Sequence, residues 1–445
     1  MTDVSRLHVP AVPARPGERP DFSYVGLSPA GAVDRPPLDV PVAQTVALAE
    51  SLVRVLDDDG RALGPWAPQL SADRLRDGLR LMLTTRLLDE RMQRMQRQGR
   101  ISFYVRSFGE EAVSVAAAMA LDPQDMLFPS YRNQGLHVVR GMPLVDMMCQ
   151  MLSNTRDMCR GRQLPVLYHS ARLRLFSISG NLATQYPQAV GWAMASAIRG
   201  ESPIAAAWLG EGSTAEADFH HALLFAKVYR APVVLNVVNN QWAISTFQGF
   251  AGGEQRSFAA RGPAVGIAGL RVDGNDFLAV YAATAWAAER ARCGFGATLI
   301  EHVTYRAGAH STSDDPSRYR PRDEYEHWPL GDPVDRLQRH LVALGEWDEA
   351  RHATLLQQIE AKITADWKEA LRHGALSEGP KLDPALMFDD VFETLPEHLR
   401  QQRDELAAEL ATRRDERAAA AAASDAAAAA AAPPTAAAPV GQDGS

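Results

Sequence analysis

The sequence predicts an α/β fold: a mostly parallel sheet flanked by helices, with an extended N-terminal arm and a helical C-terminal region. Three observations carry that reading. From about Ala72 to about Tyr305, short apolar runs alternate with segments of helical period, the pattern of parallel strands joined by crossover helices. One stretch, "LGEGSTAEADFHHALLFAKVYRAPVVLNVVNNQWAIST", contains a whole strand–helix–strand unit. The flanks are of another composition, proline-rich before the core and alanine-rich after it.

The first 71 residues are broken by Pro and Gly, with one short helical candidate near Val46–Val55. They read as an arm lying on something else, not as a domain of their own. Helical patterning begins near Ala72 and runs through "LRLMLTTRLLDERMQRMQRQ". Ile204–Gly210, Val233–Val238, Gly269–Val272 and Ala297–Tyr305 are apolar runs of strand length. Between the first two, Ser213–Tyr229 places Phe219, Leu223 and Ala226 on one helical stripe, which should face the sheet. Ala183–Arg199 is a helix lined by Ala189, Gly191, Ala193, Ala195 and Ala197, small enough for close packing. The core domain is therefore expected over residues 72–385, a C-terminal helical segment over 386–417 and an Ala-rich tail over 418–445. That tail has too little to bury and should be disordered or transiently helical.

Bulk numbers restrict the function. With 445 residues and 46% hydrophobic content the chain can bury a sizeable core. A net charge of −8 with interspersed signs offers no basic stripe for nucleic acid. Cys149, Cys159 and Cys293 lack metal-type spacing and suit a reducing compartment. Neither a signal peptide nor a membrane span is evident, so a cytoplasmic protein is expected.

The chemistry concentrates where strands should end. Ligands of open parallel sheets sit beyond the carboxyl ends of the strands. Glu211 follows one strand and Asn240 the next, so one unit aims a carboxylate and an amide oxygen at a single point. These are hard donors suited to magnesium, which usually joins one or two carboxylates to ligand phosphates. Gly210 and Gly212 should let the backbone turn and approach a ligand closely, and a helix starting near Ser213 should seat phosphate on its free N–H groups. Two rival readings apply. "GEGSTA" also fits the G-x-G-x-x-G/A dinucleotide fingerprint, but the second strand ends in Asn239-Asn240 instead of an acid. The asparagines are also common turn and cap residues. Tyr131 and Arg132 in "FPSYRNQ" add a permanent cation able to clamp phosphate. His310, in the polar run "TYRAGAHSTSDDPSRYR" after the last core strand, stands where general acid–base work is done.

Together, "SYR", "GRQLPVLY", "SGNLATQ", "GEGSTAEADFH", "VVNNQWAIST", "AARGP", "RVDGND" and "YRAGAHSTSDDPSRYR" occur in the order found in one family. The chain resembles the alpha subunits of the decarboxylating component of 2-oxo acid dehydrogenase complexes. Thr312 in "HSTSDD", where pyruvate-type relatives tend to carry methionine, places the resemblance with the branched-chain type. "LHVP", "DFSY" and "SLVRVLDDDG" resemble the N-terminal extension of its bacterial members. The resemblance implies a thiamine diphosphate-binding fold, with thiamine diphosphate and Mg2+ as cofactors. Glu211 and Asn240 would bind the metal by side chain and Trp242 by its backbone carbonyl. Tyr131, Arg132, Leu182, Gly210, Gly212, Ser213 and His310 would contact the cofactor, with His310 catalytic. Ser179, Asn181, Thr184 and Gln185 match a potassium-binding loop. Departures are Val238 in place of an arginine near the diphosphate, Gly180 for a serine, Asn181 for a proline and Trp242 for a tyrosine. The loss at 238 should leave more of the anionic charge to Arg132 and His310.

The implied reaction is oxidative decarboxylation of a branched-chain 2-oxo acid with acyl transfer to the lipoyl group of an acyltransferase component. A glutamate that activates the cofactor ring lies, in the family, on a beta subunit. This chain is then half of an active site in a heterotetramer of two alpha and two beta chains. Alternatives are a pyruvate- or acetoin-dehydrogenase alpha subunit, a scaffold subunit that has lost its site, or a homodimer using Glu110 or Glu111 on the ring.

Overall fold

The computed structural model describes residues 7–431. They fall into two compact units divided between Lys381 and Leu382. In the first unit six strands form one sheet: β1 (Leu52–Val53), β2 (Met126–Phe128), β3 (Ala205–Gly210), β4 (Val233–Asn239), β7 (Ala268–Asp273) and β8 (Thr298–Val303). Their order is β1-β7-β8-β4-β3-β2 and every pairing is parallel. A two-residue hairpin, β5 (Trp242–Ala243) and β6 (Thr246–Phe247), stands apart.

The alternation of side chains along a strand divides the core into two layers. Ala206 and Trp208 of β3, Val234 and Val238 of β4, and Ile300 of β8 enter a core with helices α2 (Ala72–Arg97), α3 (Glu111–Ala120), α5 (Leu144–Leu152) and α9 (Phe277–Arg292). The intervening Ala205, Ala207 and Leu209, with Val233, Leu235 and Val237, enter a second core with α6 (Gln185–Ile198) and α7 (Ala217–Val228). In α6, Ala189 and Ala193 are buried while Gly191 and Ala197 are exposed. The small-residue stripe thus serves one packed face only. Helices α1 (Val46–Glu50), α4 (Gln134–Val139), α8 (Arg261–Val265), α10 (Pro333–Ala343) and α11 (Glu349–Arg372) complete the unit. Among the described residues no helix is long and apolar enough to cross a membrane.

One expectation is made specific here and one is corrected. The arm lies on this chain's own sheet. Its strand β1 pairs with β7, and Val55 and Leu56 donate their N–H groups to Asp276 Oδ2 at 2.8 and 2.6 Å. Arg54 meets Asp273 at 3.3 Å, and Leu48, Leu52, Val53, Val55 and Trp66 are buried. Second, the helix expected from Ser213 begins at Ala217. A 3-10 turn, Glu211–Ala215, precedes it, and Glu216 is extended (φ −76°, ψ 147°), which separates the two.

The second unit holds a short 3-10 turn (Pro384–Phe388) and α12 (Glu397–Ala431). The first part of the Ala-rich tail, to Ala431, is helical, and residues 411–427 bury nothing. The rest, including Pro433-Pro434, lies outside the described residues.

Candidate active site

Four neighbouring strands each deliver a functional residue just past their carboxyl ends. Arg132 follows β2, Glu211 follows β3, Asn240 follows β4, and Arg306 and His310 follow β8. Glu110, Tyr131, Arg132, Leu182, Ser213 and Asn240 are among the residues lining one cleft there.

Asn240 reaches the cleft because the chain reverses behind it. Gln241 adopts φ +76°, costly for a residue with a Cβ. Its side-chain amide holds the turn by donating to the Asn239 and Thr304 carbonyls at 2.9 and 3.1 Å, and Tyr24 of the arm donates to its Oε1 at 3.0 Å. The two asparagines then part: Asn239 turns away to Glu301 at 2.7 Å, while the Asn240 Nδ2 donates to Glu110 Oε1 at 2.8 Å. Gly212 is required by packing, since a Cβ there would sit 2.4 Å from the Ala243 methyl. Gly210 has an ordinary φ of −76° and open space where a side chain would project. Room for a ligand, not backbone freedom, is what it offers.

Glu211 is 1% exposed. Its Oε2 accepts the Asn240 N–H at 3.3 Å, while its Oε1 is buried without a partner. Burial pushes its carboxyl up to about 7, against the favourable pull of Arg306 and Arg132. Glu110 is pushed up to about 8, again chiefly by burial, although Arg132 Nε lies 3.7 Å away. Glu111 is elsewhere, bonded to Arg86 at 2.8 Å.

Two guanidinium groups face these carboxylates. Arg132 donates to the carbonyls of Arg106 and His310 at 2.6 and 2.8 Å. Arg306 donates to the carbonyls of Trp242 and Ile244 at 2.7 and 2.9 Å and to the Tyr319 hydroxyl at 2.7 Å. Arg306 escaped the sequence reading although it stands inside the quoted motif. A lone arginine after a strand reads as surface, and its carbonyl partners lie some 60 residues away. It adds a second fixed cation beside Arg132. The Trp242 carbonyl expected on the metal already accepts one of its N–H groups.

His310 is placed by Asp314, whose Oδ2 accepts its backbone N–H at 2.7 Å. Its Nδ1 faces N–H donors of Arg132 at 3.2 Å and Arg306 at 3.4 Å. Arginine cannot accept, so Nδ1 is the acceptor and the proton sits on Nε2. Burial, then the two arginines, push the imidazole down to about 3. The ring is neutral at physiological pH, with Tyr131 packed edge-on at 5.9 Å.

Ser179, Asn181 and Gln185 border the same cleft. Thr184 turns its hydroxyl to the Asn181 carbonyl at 3.2 Å, and Asn181 N–H donates to Ser179 Oγ at 3.1 Å. Gln185 bonds Trp208 O through its amide at 2.7 Å and leaves its buried Oε1 without a partner.

The sequence of this chain matches the family model described as "Dehydrogenase E1 component" over residues 79–377, a range that contains every residue named as lining the cleft. The chain belongs to the dehydrogenase E1 component family. A second model, "2-oxoisovalerate dehydrogenase E1 alpha subunit N terminal", matches residues 4–43. Among relatives of this E1 component is the 2-oxoisovalerate dehydrogenase subunit alpha of Pseudomonas aeruginosa, 61% identical over 90% of this chain and 98% of its own. The human mitochondrial 2-oxoisovalerate dehydrogenase subunit alpha is 39% identical over 81% of this chain and 80% of its own. The Arabidopsis thaliana mitochondrial subunit alpha 2 is 40% identical over 78% and 73%.

Proposed function

We propose that this chain is the alpha subunit of a thiamine diphosphate-dependent dehydrogenase that decarboxylates branched-chain 2-oxo acids of the 3-methyl-2-oxobutanoate type. Its acyl product passes to the lipoyl group of an acyltransferase component. The observation that carries the reading is the unpartnered Oε1 of Glu211, buried beside Asn240 and under Arg132 and Arg306. A buried carboxylate oxygen without a donor is a costly defect in a protein interior. A divalent cation on that oxygen removes it and draws the carboxyl to its ionised form.

The residues therefore fit the diphosphate end of the cofactor with Mg2+. Glu211 and Asn240 hold the metal by side chain, and Trp242 adds its carbonyl through the lone pair that Arg306 leaves free. Arg132 and Arg306 counter the diphosphate charge without needing to move, since carbonyl acceptors already fix both forks. Tyr131, Leu182, Gly210, Gly212 and Ser213 form the walls. When bound, thiamine diphosphate supplies a carbon nucleophile that also takes up the electrons released with carbon dioxide. His310 acts as a neutral Nε2–H donor toward the reacting group, because the arginines facing Nδ1 resist its protonation. Potassium fits between Ser179, Asn181, Thr184 and Gln185, where Gln185 Oε1 lacks a partner. The partner is a beta subunit, in a heterotetramer of two alpha and two beta chains, working in the cytoplasm.

Substrate class rests on the identity to 2-oxoisovalerate dehydrogenase subunits over nearly the whole of both chains. Turnover of 3-methyl-2-oxobutanoate against pyruvate by the reconstituted alpha–beta enzyme tests it. A higher kcat/KM for the branched acid is expected, and a preference for pyruvate would replace the reading with the pyruvate type.

A further inference from the structure

Glu110 lines the cleft and is 2% exposed. It is the N-cap residue of α3 but makes no side-chain cap bond, so its carboxylate is not there to start the helix. Its one short hydrogen bond is accepted from Asn240 Nδ2 at 2.8 Å, with Arg132 Nε farther off at 3.7 Å. The geometry has a consequence for Asn240. An ionised carboxylate can meet a primary amide only through its NH2 side, and Arg132 Nε at 3.7 Å favours that form of Glu110. While Glu110 stands there, the Asn240 amide cannot flip, and its Oδ1 is turned the other way, where it accepts the Trp242 N–H at 3.3 Å. One lone pair of that oxygen is left for another partner.

We propose that Glu110 is a positioning residue that locks the Asn240 amide with its oxygen turned to the divalent cation of the diphosphate site. The inference rests on the metal reading above and deepens it. Partners that orient a metal ligand typically influence affinity by about 10- to 100-fold when removed. A merely structural carboxylate would influence folding and not metal affinity.

The test is the Mg2+ dissociation constant, titrated calorimetrically in the presence of thiamine diphosphate, on the full chain assembled with its beta subunit. Glu110→Ala should weaken Mg2+ about 10- to 100-fold, while Glu110→Gln, whose amide can accept from Asn240 or donate to it and so enforces neither orientation, should fall between Ala and the parent. Asn240→Ala should weaken it too, and Glu110→Ala in that background should add nothing, because the residue acts only through Asn240. Should Glu110→Ala fail to fold, a swapped pair carries the test. Asn240→Asp sets two carboxylates face to face and should lose Mg2+ affinity, and Glu110→Gln added to it restores a donor–acceptor pair and the affinity. Unchanged affinity in Glu110→Ala, additive losses, or no rescue by the swap overturns the proposal while leaving the metal site standing. Unchanged affinity in Asn240→Ala overturns the metal site itself, and the proposal with it.

Discussion

Thr312 and Tyr104 hold each other twice. The Tyr104 N–H donates to the Thr312 hydroxyl at 3.1 Å, and the Thr312 N–H donates to the Tyr104 carbonyl at 3.0 Å. Tyr104 is itself fixed, its hydroxyl donating to the buried Asp89 of α2 at 2.6 Å. The loop that carries His310 is thereby set in register from a helix more than 200 residues earlier in the chain.

Thr312→Val keeps the shape and removes one acceptor of that pair. Losing a hydrogen bond of about 1 kcal/mol should raise the open population of the loop about fivefold. Proteolytic cleavage between Arg306 and Arg320 should accelerate by that factor, and kcat should fall severalfold with little change in substrate KM. Thr312→Ser should behave as the parent. Equal cleavage rates for the Val and Ser variants would show that the loop is held by Asp314 and the arginines alone.

Glu211→Ala should abolish magnesium-dependent binding of thiamine diphosphate, weakening it about a hundredfold or more. The unliganded protein should melt no lower than the parent, because the substitution removes a buried carboxylate oxygen that nothing satisfies. The ligand-induced rise in melting temperature should vanish in the variant. Calorimetry with unchanged thiamine diphosphate affinity would remove Glu211 from the site.

Much of this site was legible because its residues follow strands whose apolar runs are themselves easy to read. Glu211 and Asn240 stand at the ends of β3 and β4, and parallel register does the rest by aligning Gly210 with Val238. What escaped depends on partners distant in sequence. Nothing local marks Arg306 as buried or Glu110 as the mate of Asn240, 130 positions away. The strand within the arm stayed hidden for a related reason. The arm's prolines and glycines mask a two-residue strand whose pairing is decided by β7 and by the carboxylates of Asp273 and Asp276. Likewise the helical stripe of Phe219 and Leu223 extends smoothly back past Glu216, and only the backbone there shows that the helix starts later.

His302 predicts a pH dependence of stability. It is fully buried in β8, its Nε2 lies 2.9 Å from Asn236 Oδ1, and burial pushes the ring down to about 3. Asn236 donates its own amide to Ala207 O at 3.0 Å, so its Oδ1 is the acceptor and His302 carries its proton on Nε2. Between about pH 6.5 and 3 the unfolded chain binds a proton that the folded one refuses. Stability is then complete above the unfolded value and is lost as pH falls through this window, by at most about 1.4 kcal/mol per pH unit for this group. His302→Gln should flatten the decline in unfolding free energy between about pH 6.5 and 4.5 by that slope. Parallel curves for variant and parent would mean that the histidine stays protonated or reaches water.

The carboxylates of the cleft predict that this chain is inactive alone. Activating the aminopyrimidine ring of thiamine diphosphate takes a carboxylate free to share a proton with it. Glu110 is engaged with Asn240 at 2.8 Å, and Glu211 accepts the Asn240 N–H at 3.3 Å with its other oxygen taken up by the proposed metal. Glu111 is bonded to Arg86, and Asp89 to Tyr104 and Ser107. Among the described residues, the cleft lining offers no further Asp or Glu. A group that activates the ring is therefore expected from another chain. The purified chain with thiamine diphosphate and Mg2+ should not decarboxylate 3-methyl-2-oxobutanoate, and adding the beta subunit should restore turnover together with a mass of two alpha and two beta chains by light scattering. Substantial turnover by this chain alone would assign the ring to Glu110 after all, and Glu110→Gln would then abolish it.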